Sequence, residues 1–343
     1  MDDRSREDSP GQISLFPEVA APSGKPPSRS DALLSERVEK ERAEAAAIAE
    51  RLPKNVRFGT SSWSFPGWAG IVYPRRAKAS DLAREGLLEY ARHPLLNTVG
   101  IDRGFYAPIP REDLRRYSGQ LPPGFLACAK APESVTGAVS RSDAGGGAGA
   151  ARAANPGFLD PARFEEEMLA PFRDAFAGHT GPFLLQFPPA PPSSLTPEVF
   201  AERLDRFLAA LPREFRYAVE LRERRLLTAG YAAVLRRHGA AHVYNAATAM
   251  PMPAEQAEGI PVSAAPFAVV RLLLRPGTGY DERREEFLPF DRVVDPNPEM
   301  RAQTVSLVRA AGDADVFVLV NNKAEGCAPA TIRALAEQLA ESG

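Results

Sequence analysis

The sequence predicts an α/β protein of the (β/α)8 TIM-barrel type, preceded by a disordered tail and a leading helix. Three observations point there. Beyond residue 55, eight short β-type runs alternate with helical stretches, and strict alternation of this kind is the pattern of a parallel sheet with crossover helices. The β-runs are nearly continuous in apolar residues, as strands buried on both faces must be. No G-x-G-x-x-G follows a strand, which removes the best support for an open dinucleotide-binding sheet. Eight repeats then favour closure into a barrel.

Taken in order, residues 1–30 are rich in Asp, Ser, Pro and Gly; they carry too little apolar area to offset the entropy of ordering and read as a disordered tail. Residues 31–54 are dense in Ala, Glu, Arg and Leu, the composition of a helical lead-in with a solvated charged face. The barrel is expected over residues 55–343. Its strands are VRFGT, LLNTVGI, GFLACAK, PFLLQF, RYAVEL, AAHVYNA, FAVVRLLL and DVFVLVNN. Helices are expected at 77–92, 161–177, 197–210, 224–238, 298–311 and 328–341, with a weaker one at 111–119 and the poorest near 254–259. Residues 136–157 contain SDAGGGAGAARAANPG, a low-complexity insertion after the third strand that reads as flexible and, in a barrel, belongs to the catalytic rim.

The chain has 343 residues, 44% of them hydrophobic, and a formal net charge of −2. That is enough apolar material for a sizeable core, and the charge balance demands neither a nucleic-acid nor a membrane partner. Direct nucleic-acid binding stays open. The two cysteines, Cys128 and Cys327, are too few for a disulfide framework or a thiolate zinc site, which fits a reducing cytoplasm. The N-terminus has no apolar core of signal-peptide length, and no run is long enough to span a bilayer. His93, His179, His238 and His242 are not set among carboxylates in a ligand pattern, so no metal is expected, and no motif calls for another cofactor.

A barrel places its chemistry at the C-terminal ends of its strands. Those ends carry Thr60 and Ser61, Asp102 and Arg103, Lys130, Gln186, Glu220 and Arg222, Asn245, Arg271, and Asn321, Asn322 and Lys323. Cations outnumber acids. Strand alternation puts Glu220 and Arg222 on one side, so Glu220 is either an orienting or basic group held ionised by a guanidinium, or half of a buried ion pair. Lys130 reads first as a partner for Glu220, then as an anion ligand, then as a nucleophile with a depressed pKa. Arg103, Arg271 and Lys323, if they converge, suit a phosphate or carboxylate. Asp102 is the other candidate acid or base. The stretch GTSSWSFPGWAGIVYP after the first strand holds both tryptophans, Trp63 and Trp68, with Ser61 and Ser62; it is either part of the site or an aromatic plug closing the end of the domain.

These blocks resemble the YecE-like family, catalogued as domain of unknown function seventy-two and folded as a TIM-type barrel. The resemblance covers residues 56–340 and rests on GTSSWSFPGWAGIVYP, on NTV followed by FY ending at Tyr106, and on KAP, LLQFPP, YAVELR, VRL and NNKAEGCAP. It implies the barrel and no established reaction. Family members typically read V-E-I-N-S-T-F-Y after the second strand. Here Gly100 stands at the Glu, and Arg103 and Gly104 stand at the small hydroxyl residues. Leu273 and Glu223 occupy positions where histidines are usual. The departures imply a diverged member with altered or lost activity.

In the tail, Gln12, Ile13, Ser14, Leu15 and Phe16 resemble the short peptide by which bacterial replication and repair proteins bind the sliding clamp. Leu15 and Phe16 are the apolar anchors and Gln12 the polar register; the alternative is a tail that docks on its own barrel. Two functions follow. One is a cytoplasmic barrel enzyme binding a small anionic, phosphorylated or nucleotide-like substrate at the rim. The other is a non-catalytic or DNA-metabolism accessory protein tethered to the clamp.

Overall fold

A computed structural model describes residues 29–139 and 153–341. The clamp-type residues Gln12, Leu15 and Phe16, the rest of the tail and residues 140–152 of the insertion lie outside the described residues.

Eight strands, β1 (Val56–Thr60), β2 (Thr98–Ile101), β3 (Leu126–Lys130), β4 (Thr180–Phe187), β5 (Tyr217–Leu221), β6 (Ala241–Ala246), β7 (Phe267–Leu272) and β8 (Asp315–Val320), pair in sequence order. They close into a barrel through the parallel β1–β8 pair. Every apolar β-run recognised in the sequence is one of these strands. Helices lie between them, including Pro197–Ala210, Ala229–His238, Pro298–Ala310 and Ala328–Glu341. The helix Tyr280–Phe287 has no counterpart in the sequence reading. Its sequence, YDERREEF, has no apolar stripe for periodicity to detect.

The period-two alternation of a strand sorts side chains into two cores. Cys128, Leu184, Ala218, Val243, Val269, Phe317 and Leu319 fill the inside of the barrel. A larger core outside it joins the alternate strand residues, such as Val99, Leu185, Val219 and Val318, to the helices.

The helix Arg29–Ala49 is not wet all round. Leu34, Val38, Ala45 and Ile48 are buried, and Glu41 and Glu44 both bond Arg333 of the last helix, at 2.8 and 2.7 Å. Behind β8, the buried Glu325 carboxylate receives both a guanidinium edge of Arg301 (2.7–3.0 Å) and the Asn297 backbone N–H (2.5 Å). It thereby ties the β8 loop to the start of Pro298–Ala310. No helix among the described residues is long and apolar enough to cross a membrane.

Glu325→Ala leaves Arg301 without its buried partner, a change that typically costs roughly 3–5 kcal/mol. A urea titration should show a lower midpoint with an unchanged slope; an unshifted midpoint would show that the bridge does not hold the loop.

Candidate active site at the barrel mouth

The inner face of the barrel turns polar one alternation beyond the apolar layer. Two residues after Cys128, Leu184, Ala218, Val243 and Val269 come Lys130, Gln186, Glu220, Asn245 and Arg271. The register places Gln186 beside Glu220 and Asn245 beside Arg271, so the polar ring is a direct product of strand alignment. Ser61 and Asp102 complete it just past β1 and β2.

Arg271 is the centre of this ring. Its side chain is 0% exposed and bonds Glu220 Oε2 at 2.6 Å and Asp102 Oδ2 at 2.7 Å, with Ser61 Oγ at 3.4 Å. Glu220, also fully buried, receives Arg222 Nε on its other oxygen at 2.5 Å, and Arg222 reaches on to Gln186 Oε1 at 3.0 Å. Burial alone would raise the Glu220 pKa, but Arg222, Arg271 and Lys130 outweigh it and bring it down to about 2. An ionised carboxylate with both oxygens engaged is an anchor, not a proton shuttle. Burial likewise opposes the charge on Arg271, and Asp102 and Glu220 overcome that, leaving its pKa raised.

Lys130 is held more loosely. Its Nζ lies 3.7 Å from Asp102 Oδ2 and 4.6 Å from the centroid of the Phe105 ring. Burial lowers its pKa; Asp102 opposes the shift and Arg271 reinforces it. Three polar atoms of the ring are buried without a hydrogen-bond partner among the described residues: Asp102 Oδ1, Asn245 Oδ1 and Arg271 Nε. Native interiors rarely leave such groups unmet, so each has capacity for one further hydrogen bond, which a water can supply. Above the ring opens a cavity of about 300 Å³ whose walls include Phe105, Glu133, Gln186, Pro188, Arg222 and Thr248.

Other sequence candidates are engaged elsewhere. Arg103 does not converge with Arg271: its guanidinium bonds the Tyr117 hydroxyl and Asp113, at 2.7 and 2.8 Å, on the helix Arg111–Ser118. Trp63 is buried, donates its indole N–H to the Leu82 carbonyl at 2.9 Å and packs edge-on against Tyr117. Trp68 is buried as well, its N–H on Asn322 Oδ1 at 3.3 Å. Both tryptophans therefore form the plug. Gly67 permits the close approach this needs, since a Cβ there would fall 1.9 Å from the Pro289 carbonyl. Asn322 also accepts the Ala328 N–H, at 2.8 Å, at the start of the last helix. Asn321 accepts the Lys323 backbone N–H at 3.0 Å. Ser62 lies 3.5 Å from Ser64, hydroxyl to hydroxyl. Tyr106 is 70% exposed and lines a neighbouring surface cavity with Pro108 and Pro132.

At Gly100, a Cβ would meet the Ser61 backbone, just past the first strand, at 3.0 Å, so a larger side chain there needs that backbone to give way. The carboxylate of this strand reaches the ring from Asp102, two residues on. Glu223 belongs to a clasp instead: it pairs with Arg225, which bonds the carbonyls of Ala190 and Leu195 at 2.9 and 2.5 Å. Two contributors escaped the sequence reading. Phe105 covers Lys130, and only its neighbour Tyr106 was singled out. Gln256, in the poorest helical stretch, is fully buried and fixes β6 by donating to the Asn245 and Pro251 carbonyls, each at 2.7 Å.

Because the folded-state pKa of Glu220 is depressed, its stabilisation is present above the ordinary carboxylate value of 4.5 and is lost as pH falls toward about 2. A shift of that size corresponds to on the order of 3 kcal/mol. Glu220→Gln should be less stable than wild type at neutral pH, and the gap should close across that acid window in paired denaturation curves. A constant gap would refute an ionised Glu220.

The family model described as protein of unknown function DUF72 matches residues 57–343. Among solved structures, a DUF72 family protein from Thermotoga maritima aligns with TM-score 0.54 at 19% identity, over 84% of this chain and 98% of that one. A DUF72 family protein from Enterococcus faecalis aligns with TM-score 0.54 at 15% identity, over 83% and 94%. At these identities the likeness concerns the fold alone. No curated protein matches. With the family model spanning the whole barrel, the chain belongs to the DUF72 family.

Proposed function

We propose that the mouth of the barrel binds a small organic anion, a carboxylate or phosphate, and is the seat of chemistry on it. The observation that carries this reading is a charge imbalance inside one bonded cluster. Among the described residues, the ion pairs of Lys130, Arg222 and Arg271 are made to two carboxylates, Asp102 and Glu220, beneath a cavity of about 300 Å³ whose wall also carries Glu133. A buried surplus cation is costly unless a counter-charge meets it.

The residues divide the work by exposure. Arg271 is sealed, so it fixes the two carboxylates and does not itself grip the ligand. Arg222 has 24% of its side chain exposed and lines the cavity with Gln186, so it presents its guanidinium to the anion. Glu220 orients both arginines. Asp102, with 25% of its side chain exposed, is the carboxylate able to exchange protons with a ligand. A preorganised cluster of this kind stabilises charge without reorganising at the moment of reaction.

Calorimetric titration with inorganic phosphate and with pyruvate tests the reading. Arg222→Gln removes a charge-assisted bond worth about 1.5–3 kcal/mol, so it should weaken binding by roughly 10- to 100-fold while Glu220 keeps Arg271. Unchanged affinity in the variant, or no binding by wild type, would sink it.

A second reading rests on Gln12, Leu15 and Phe16, the clamp-type peptide, and makes the protein an accessory of DNA metabolism. Purified protein should then retain a bacterial sliding clamp in a pull-down, and Leu15→Ala with Phe16→Ala should abolish retention. Equal retention by wild type and variant would remove the peptide from consideration.

A further inference from the structure

We propose that Lys130 is an imine-forming nucleophile, and that the anion taken at the mouth carries an aldehyde or ketone, as a 2-oxo acid or a phosphorylated aldehyde does. This rests on the anion reading above and names the substrate class.

The geometry singles out this lysine. Within the cluster, Glu220 is bonded by two arginines and Asp102 is bonded by Arg271 at 2.7 Å, whereas Lys130 stands 3.7 Å from Asp102, its carboxylate contact among the described residues. Among the described residues, no hydrogen bond to Lys130 Nζ is found, and its side chain is 9% exposed. Its other close neighbour is the face of Phe105, whose ring also lines the mouth cavity. Two guanidiniums that cannot lose their protons share the ring with it. Within the bonded cluster the surplus charge is relieved when an anion arrives or when the lysine gives up its proton. Its lowered pKa, caused first by burial, agrees with the second. A neutral amine beside an anion-binding arginine is the arrangement that attacks a carbonyl held by its own carboxylate or phosphate.

The step balances without an added oxidant or reductant. The Lys130 nitrogen lone pair forms a bond to the carbonyl carbon, and the C=O π pair moves onto oxygen. Asp102, whose Oδ1 has no hydrogen-bond partner among the described residues, takes one proton from the attacking nitrogen and passes it to the oxygen, giving a carbinolamine. It then carries the second nitrogen proton to the hydroxyl, which leaves as water as the nitrogen lone pair forms the C=N bond. Asp102, Arg271, Glu220 and Arg222 are the charged groups that act most strongly on the amine, and Glu133 shares the cavity wall with Phe105.

The experiment incubates the full chain with pyruvate or glycolaldehyde phosphate, adds borohydride, and locates adducts by peptide mass spectrometry. Hydride adds to the imine carbon and a proton to nitrogen, leaving a stable secondary amine. The expected result is one reduced probe on the peptide containing Lys130, absent without probe and suppressed by excess inorganic phosphate. Mapping in wild type needs no variant to fold; Lys130→Met, checked for its circular dichroism, should carry no adduct in the rest of the chain. Phosphate binding by calorimetry with no Lys130 adduct would overturn this inference and leave the anion reading standing. A Lys130 adduct that phosphate neither suppresses nor competes with would uphold the amine and overturn the anion reading. Adducts spread evenly over surface lysines would overturn the inference.

Discussion

The mouth of this barrel is organised by one expensive event, the complete burial of the Arg271 guanidinium. A charge of that kind cannot sit in a low-dielectric interior alone, and Arg271 meets the requirement with Glu220 at 2.6 Å and Asp102 at 2.7 Å. Two carboxylates drawn inward then need more than one cation between them, which brings in Arg222 and Lys130. The polar ring is thus a chain of mutual requirements. Such clusters are seldom net stabilising compared with an apolar core of equal volume, so its presence at the end of the barrel where chemistry resides is itself an argument for function.

Much of this could be read from the sequence, because the barrel converts strand periodicity into position. Near-continuous apolar runs marked all eight strands, and the polar residue ending each run marked the ring: Lys130, Gln186, Glu220, Asn245 and Arg271 follow from alternation alone. What sequence could not reveal was the direction of residues just past a strand, where alternation stops. Asp102 and Arg103 are adjacent, yet one bonds Arg271 and the other turns to Tyr117 and Asp113. The tryptophans were ambiguous for the same reason. Trp63 and Trp68 lie in a loop whose path is set by distant backbone, Leu82 for one and Asn322 for the other. Gln256 was invisible because nothing in a short helix at 253–259 announces that its side chain replaces missing backbone bonds of β6.

The departures from the family pattern acquire a physical meaning once the ring is seen. A glutamate at position 100 would press its Cβ against the Ser61 backbone at 3.0 Å, and a third carboxylate would also cancel the positive excess of the bonded cluster. Glycine there, with Asp102 as the remaining acid of that strand, leaves the ring with one more cation than anion.

The cluster also separates two tasks that a single carboxylate could not perform together. Glu220 is fully buried, doubly bonded by guanidiniums and driven down to about 2, so it stays ionised and fixes the arginines at any pH near neutrality. Asp102 shares one oxygen, Oδ2, between Arg271 and a lysine whose charge burial disfavours, and its other oxygen has no hydrogen-bond partner among the described residues. Rigid charge is provided by the first, and a carboxylate oxygen with unused hydrogen-bonding capacity by the second. The difference follows from position: Glu220 lies within β5, enclosed by its neighbours, whereas Asp102 lies just past the end of β2 with a quarter of its side chain exposed.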